Sequence, residues 1–335
     1  YANIRMQSRI GENGMFFGAV NFIAAAGDYA LRAEALGVDI SEGNNYIAAI
    51  ELERLFFKLD GGSFDINAGL LRMPFGYSQI WGPSDFINPK NPLKPDARPR
   101  AVLGSGVFYY PADEIKLLGF AATGRDPFAQ NSGLAGAAAE RHWKKASAQL
   151  LYSFERSEEF PGFASSPWTH RAGMSVKADL EVGVIVDMLY AYNREIENRI
   201  DGLAFSAGFD YSFFGANLVI NVEYLYSGAA SSTSAAGGGD FANENYLYSG
   251  ATWRFSDFTN IGLALIAGID DLSFTPLITF NHELFQGAAL TLMAQVPIDR
   301  DLLFGDGNRG EFGPLPPGAG AGSRLFMESR LRLRF

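Results

Sequence analysis

The feature that most constrains this chain is a two-residue alternation of apolar and polar side chains, sustained through segments of about ten residues. The last segment shows it best. From Arg324 to Phe335, Leu325, Met327, Ser329, Leu331, Leu333 and Phe335 face one way. Phe326, Glu328, Arg330, Arg332 and Arg334 face the other. A helix would spread those arginines around its circumference, whereas a strand sets them on one wall. The same pattern runs through Ala2 to Ile10, where Asn3, Arg5, Gln7 and Arg9 oppose Ile4, Met6 and Ile10. It recurs in Val184 to Asn193, Leu203 to Phe213 and Asn217 to Tyr226.

A water-soluble sandwich alternates too, but its apolar face must then be covered by a second layer. Here strand-like segments follow one another almost without interruption, and no helical layer is apparent in the sequence. Lipid would cover such a face, and a closed barrel would leave no unpaired edge within the bilayer. The expected fold is therefore all-β: a single closed antiparallel transmembrane β-barrel spanning residues 1–335. Eighteen candidate strands are read at 2–10, 15–25, 28–37, 46–59, 63–73, 105–111, 114–123, 133–142, 145–156, 169–179, 182–194, 200–212, 216–226, 245–256, 258–269, 272–282, 285–296 and 324–335. Sixteen is the alternative count, because the third, sixth and eighth are weakly patterned. Connections at 26–27, 60–62, 112–113, 143–144, 180–181, 213–215, 257 and 283–284 are short and share one side. Those at 74–104, 157–168, 227–244 and 297–323 are long and share the other, as short periplasmic turns and long extracellular loops would. Breaks in alternation at Glu53-Arg54 and at Leu70-Leu71 are read as β-bulges.

Composition narrows the function classes. Cysteine is absent, which removes disulfides, thiolate metal sites and a Cys nucleophile. Three histidines, His142, His170 and His282, are too scattered to suggest a metal site. With no other ligand set apparent, neither metal nor cofactor is expected. The 38 glycines, 28 Phe and 14 Tyr suit tightly turned strands with aromatic girdles. A formal charge of −10 gives no support to nucleic-acid binding. No apolar run is long enough for a spanning helix. Strand-like alternation begins at the first residues, so the chain is read as a mature protein whose export signal has been cleaved.

The terminal Leu331-Arg332-Leu333-Arg334-Phe335 resembles the last strand of Gram-negative outer-membrane β-barrel proteins, which end in an aromatic after alternating apolar residues. That resemblance implies a bacterial outer-membrane location and recognition of Phe335 by the barrel-assembly machinery. A second likeness lies in Gly76 to Arg100, which is similar to the Trp-Gly and Asn-Pro segment of several porin-like families.

A barrel of this size is wider than its side chains can fill, so its interior holds water or a folded-in loop. Arg5, Arg9, Arg330, Arg332 and Arg334, with Arg32 further on, would make a basic wall. Asp187, Asp210 and Glu223 would make a sparser acidic wall opposite, and the field between them would favour polar solutes. For Arg332 and Arg334 the plainer reading is a solvated position at the periplasmic mouth. Loop 74–104 carries Pro83, Pro89, Pro92, Pro95 and Pro99, with Lys90, Lys94, Arg98 and Arg100. Stiff and basic, it reads as either a constriction or an extracellular cap.

Gly305 to Gly310 spells G-x-G-x-x-G without a strand-to-helix junction, so turn chemistry explains it. Asp299, Asp301, Asp306 and Glu311 read as a solvated acidic loop rather than a cation site. Residues 227–244 are low in complexity. No G-x-S-x-G occurs, and no histidine is placed among inward-facing acids and serines, so the chain is not expected to be an enzyme. The function that fits is a porin-type channel for passive diffusion of small polar, including anionic, solutes. A hydrophobic-solute or lipid transporter, or a structural or adhesin barrel, is the alternative. An apolar patch of inward-facing Leu118, Phe120, Leu151 and Leu189 keeps the first of these open. The partners expected are outer-membrane lipids and small solutes. Whether the barrel is a monomer or a homotrimer is left open.

Overall fold

The computed structural model describes residues 2–26, 46–89, 99, 101–123, 133–156, 168–193, 199–228, 243–298 and 326–333. They are almost entirely strand. In chain order the strands are β1 (Ala2–Ile10), β2 (Gly14–Ala26), β3 (Tyr46–Asp60), β4 (Phe64–Leu71), β5 (Val102–Ala112), β6 (Ile115–Thr123), β7 (Gly133–Trp143), β8 (Ala146–Arg156) and β9 (Trp168–Asp179). After these come β10 (Gly183–Tyr192), β11 (Leu203–Phe213), β12 (Leu218–Ser227), β13 (Asn245–Ser256), β14 (Thr259–Gly268), β15 (Ser273–Phe285), β16 (Ala288–Gln295) and β17 (Phe326–Leu333). A 3-10 turn, Arg199–Gly202, precedes β11. Among the described residues no helix is long and apolar enough to cross a membrane.

The chain divides into two compact units. The first comprises Tyr1–Gly76, Ser84–Met174 and Ala191–Glu195; the second comprises Tyr77–Pro83, Ser175–Tyr190 and Ile196–Phe335. In the first, β1 to β8 pair in chain order, each antiparallel to the next. In the second, β10 to β17 do the same. Connections after odd-numbered strands, such as 11–13, 61–63 and 144–145, are tight turns. Those after even-numbered strands include the long stretches 27–45, 72–101 and 228–244.

Seventeen strands are described, where eighteen were expected. The difference lies in the candidate strand 28–37, which falls outside the described residues. β2 runs on to Ala26 and pairs directly with β3 through Ala24↔Ala48, Ala25↔Ile47 and Ala26↔Tyr46. No strand stands between them. The connection expected to be short at 26–27 is therefore long, and 11–13 is a tight turn.

The bulge expected at Glu53-Arg54 is present. Ala19 pairs with Arg54 and Val20 with Leu52, so Glu53 is the extra residue. The one expected at Leu70-Leu71 is absent, because β4 pairs with β5 in unbroken register through Leu70↔Leu103 and Leu71↔Val102. Alternation failed there because the neighbouring inward position Gly69 has no side chain to mark the pleat.

Each unit has two unlike faces. In the first, Ile4, Met6, Ile50, Leu103, Val107, Leu117 and Leu150 are exposed on one face. In the second, Phe209, Trp253, Leu263, Leu265 and Ile278 are. In water each would forfeit about 25 cal/mol for every Å² left uncovered. The opposite face holds the buried polar residues, among them Asn21, Glu53, Asp65, Glu140 and Gln149 in the first unit and Asp187, Ser206 and Glu223 in the second. Within each unit the apolar face is thus exposed and the buried residues of the other face are largely polar, the reverse of a soluble sandwich.

Candidate functional site: a segment laid on the polar face

β4 ends at Leu71, and the chain does not stay with the sheet ladder. It turns across the polar face, and its buried residues include Met73, Phe75, Trp81, Ser84, Asp85, Phe86, Ile87 and Asn88. Two side chains brace the turn from within: Met73 N–H donates to Asn88 Oδ1 at 2.6 Å, and Phe75 N–H to Asp85 Oδ1 at 3.4 Å.

In the first unit the segment rests on β6 to β8. Gly76 N–H donates to Gln149 Oε1 at 2.8 Å. The Phe75 ring lies 5.0 Å from Phe120 and 6.3 Å from Phe86. Arg171 stands 4.9 Å over the Phe86 ring. Leu118, Phe120 and Leu151, expected as an open apolar patch, are each at most 7% exposed. They belong to the wall on which this segment sits. Gly136 makes room for Phe120, because a Cβ there would lie 2.5 Å from its ring and 2.4 Å from the Tyr152 carbonyl oxygen. A cavity of ≈ 170 Å³ remains, lined by Arg72, Met73, Phe75, Phe108, Lys116, Leu118 and Glu140 among others.

In the second unit Tyr77–Pro83 closes around one carboxylate. Glu223 on β12 accepts the Ser78 hydroxyl and the backbone N–H groups of Gln79 (3.2 Å), Ile80 (3.2 Å) and Trp81 (2.8 Å). Trp81 Nε1–H donates to the Glu223 carbonyl at 3.2 Å, and its ring lies 5.3 Å from Tyr246. Tyr77 N–H donates to Ser175 Oγ at 2.9 Å, and Gln79 Nε2 to Asp210 at 3.2 Å. Bonds to an ionised acceptor are worth about 1.5–3 kcal/mol each, so one buried carboxylate can fix the segment.

Charges on the polar face are largely matched. The bulged Glu53 carboxylate meets Arg72 at 3.2 Å and Arg54 at 3.6 Å and accepts from Asn3 at 2.7 Å. Lys58 meets Asp65 at 2.9 Å, Arg171 meets Glu155 at 2.6 Å, and Lys116 pairs with Glu140.

The residues singled out from sequence fall as follows. Arg5 and Arg9 are exposed, and Arg5 Nε donates to Asn3 Oδ1 at 2.7 Å. Arg330 and Arg332 lie on β17, opposite Thr291 and Ala289. Asp187, Asp210 and Glu223 share one face of β10 to β12, through Asp187↔Ser206, Ser206↔Leu225, Gly208↔Glu223 and Asp210↔Asn221. Asp187 and Glu223 are buried, so neither is the solvent-facing wall charge expected of it. Arg32, Lys90, Lys94, Arg98, Arg100, Arg334 and Phe335 lie outside the described residues, as do Asp299, Asp301, Asp306 and Glu311.

One sequence expectation about histidine needs correction. His142 sits on the polar face, with Nδ1 2.9 Å from Ser147 Oγ and Nε2 3.5 Å from Glu140 Oε1. The second contact is too long for the hydrogen bond that orients a catalytic imidazole, and Glu140 is already held by Lys116. This is a polar cluster, not a relay.

Ser78 and Trp81 lie in the Gly76–Arg100 stretch that the sequence singled out, but the wall residues that seat it, Gln149, Ser175 and Tyr246, were missed. The inward positions of β8 are polar apart from Leu151, so Gln149 carried no signal that set it apart from a water-facing wall residue.

An all-β antiparallel sheet with an exposed apolar face and a segment folded against the polar face is the kind of fold found in porin-like outer-membrane proteins. Solved structures agree at the level of fold. The chain is similar to OpdL of Pseudomonas aeruginosa, with 11% identity over 89% of this chain and 86% of that one and a TM-score of 0.54. It is likewise similar to OccK7 (OpdD) of the same organism, with 12% identity over 88% of each chain and a TM-score of 0.51. A BenF-like porin of Pseudomonas fluorescens Pf-5 matches with 9% identity over 88% and 85% and a TM-score of 0.54. No family model matches the chain, and no curated protein is similar to it.

Proposed function

We propose that this protein is a channel of the bacterial outer membrane through which small polar solutes diffuse passively, and that Met73–Asn88 is its constriction. The observation that carries the reading is the clamp on Glu223, where a wall carboxylate accepts three backbone N–H groups and a hydroxyl from the segment. A cap over the loop ends would not be seated on side chains in the middle of the strands. Of the two readings of loop 74–104, the constriction is therefore the one favoured. The apolar patch that kept a hydrophobic-solute route open lies beneath Phe75, which favours polar permeants.

Selectivity is assigned to the basic residues. Arg5 and Arg9, exposed on the polar face of the first unit, are assigned to favouring anions, as are Arg330 and Arg332 of β17 in the second. The partly exposed Asp210 is the counter-charge. Recognition of Phe335 by the barrel-assembly machinery is part of the same proposal.

The test is single-channel current through the purified full chain in a planar bilayer under a salt gradient. Steady steps of conductance with an anion-biased reversal potential are expected. Silence from protein whose heat resistance in detergent shows it folded would overturn the channel reading.

A further inference from the structure

The exposed apolar face of β8 and β9 carries a graded patch of polar chemistry that the channel does not use. Nearest the middle of the strands are Leu150 and Met174, both exposed. Next come Tyr152 and His170, whose OH and Nδ1 lie 2.8 Å apart with the rings 6.2 Å from each other. Beyond them Phe154 packs against Trp168 at 5.9 Å, and the Arg156 guanidinium lies 6.0 Å from the Trp168 ring. Leu150, Tyr152, Phe154 and Arg156 are alternate residues of one strand and so share a face. At about 3.3 Å per residue the series spans roughly 20 Å, running toward the long connection 157–167.

Each step has a physical reason to stand where it does in a lipid leaflet. Leu150 and Met174 suit hydrocarbon. Tyr and Trp prefer the boundary, where the ring is dry and its polar tip is wet. Arg matches phosphate, because its planar fork donates two parallel hydrogen bonds. His170 adds a donor: with Tyr152 donating to Nδ1, the ring N–H is on Nε2, on the side away from the tyrosine. The Tyr152–His170 hydrogen bond thus leaves the Nε2 edge of the ring to donate to a lipid oxygen.

We infer that this face docks a phosphate-bearing lipid headgroup in the leaflet at the long-connection end. Arg156 meets the phosphate, and His170 Nε2–H donates to a headgroup oxygen. Trp168, Phe154 and Tyr152 line the first carbons of the chains, and Leu150 and Met174 carry the rest. The inference rests on the outer-membrane reading above. A second copy of the chain fits less well, since a twofold contact through this patch would set Arg156 against its own mate.

The experiment is native mass spectrometry of the full chain in detergent, titrated with lipid A and, separately, with the same lipid stripped of its phosphates. Lipid A should bind about five- to tenfold tighter than the stripped lipid, as one cation near the surface warrants. In an Arg156→Gln, His170→Phe variant that advantage should vanish, and 10 mM inorganic phosphate, as roughly a competing free anion, should not displace the lipid. Equal binding of the two lipids by the native chain overturns the inference and needs no variant. So does full retention of lipid A by a folded double variant, or displacement by inorganic phosphate. Conductance of the same preparations reads the channel proposal separately. A native chain that binds lipid A but passes no current sinks the channel and leaves the docking site standing.

Discussion

The backbone N–H of Trp81 lies 2.8 Å from Oε1 of Glu223, a residue 142 positions further along the chain. Ser78, Gln79 and Ile80 bring their donors to the same carboxylate, so a four-residue arc is held by one side chain. Because Glu223 sits mid-strand on β12, between neighbours Gly208 and Tyr248, its own backbone is fixed by two ladders. The wall is rigid, and the segment is the part that would move.

Replacing Glu223 by Gln keeps the side chain's size and removes its charge. One acceptor oxygen becomes an N–H₂ that faces donors, so the clamp should weaken by about 2–3 kcal/mol. The strands keep their ladders, and heat resistance in detergent should be unchanged. In planar bilayers E223Q should show larger and noisier conductance steps than the native chain. Unchanged current would mean that Tyr77–Pro83 does not set the bore.

Phe75 tests the other anchor. It is 3% exposed, against Phe120 and Phe86, and truncation to Ala should cost about 3–5 kcal/mol locally. That loss falls on the segment, not on the sheet ladders, so F75A should insert and fold while its conductance rises. Gly136→Val attacks the same seat from below, since its side chain would collide with Phe120. The two variants should shift current in the same direction; opposite shifts would separate the aromatic seat from the constriction.

The strands were legible because alternation depends only on which side of a pleat each residue takes. Seventeen of the expected strands reappear, with ends displaced by a few residues. The eighteenth, at 28–37, was read from weak alternation alone, and nothing local could reveal that Ala24 pairs with Ala48 instead. The seat of the segment was hidden for a different reason. Glu223 looked like a wall charge because its strand position is correct, and what covers it comes from a contact 142 residues away. Leu118, Phe120 and Leu151 were placed on the right face but read as open, since a sequence shows a face and not its cover.

The turn between β11 and β12 carries two residues in a conformation that favours glycine. Phe214 has φ 53° and Ala216 φ 69°. A left-handed conformation costs an L-residue about 1–2 kcal/mol, part of which glycine returns through its freer unfolded chain. Ala216→Gly should therefore stabilise the folded protein by roughly 0.5–1 kcal/mol. Urea unfolding in lipid vesicles, followed by tryptophan fluorescence, measures this directly. A lower midpoint would show that the strain is relieved elsewhere in the turn.

Selectivity is the remaining prediction. Most charges on the polar face are spent on each other: Glu53 on Arg72 and Arg54, Lys58 on Asp65, Arg171 on Glu155. Such pairs contribute little net field to a passing ion. Arg5 is different, being exposed and bonded to the neutral Asn3. Its charge, with that of Arg330, should dominate the potential that a solute meets, and exposed charges act over about 10 Å at 0.1 M salt. Neutralising both as Arg5→Gln and Arg330→Gln should move the reversal potential toward zero at low salt and matter less at 1 M, where screening shortens that reach to about 3 Å. If the double variant keeps the native permeability ratio at every salt concentration, the basic wall does not set selectivity, and the charges on loop 74–104 become the residues to neutralise next.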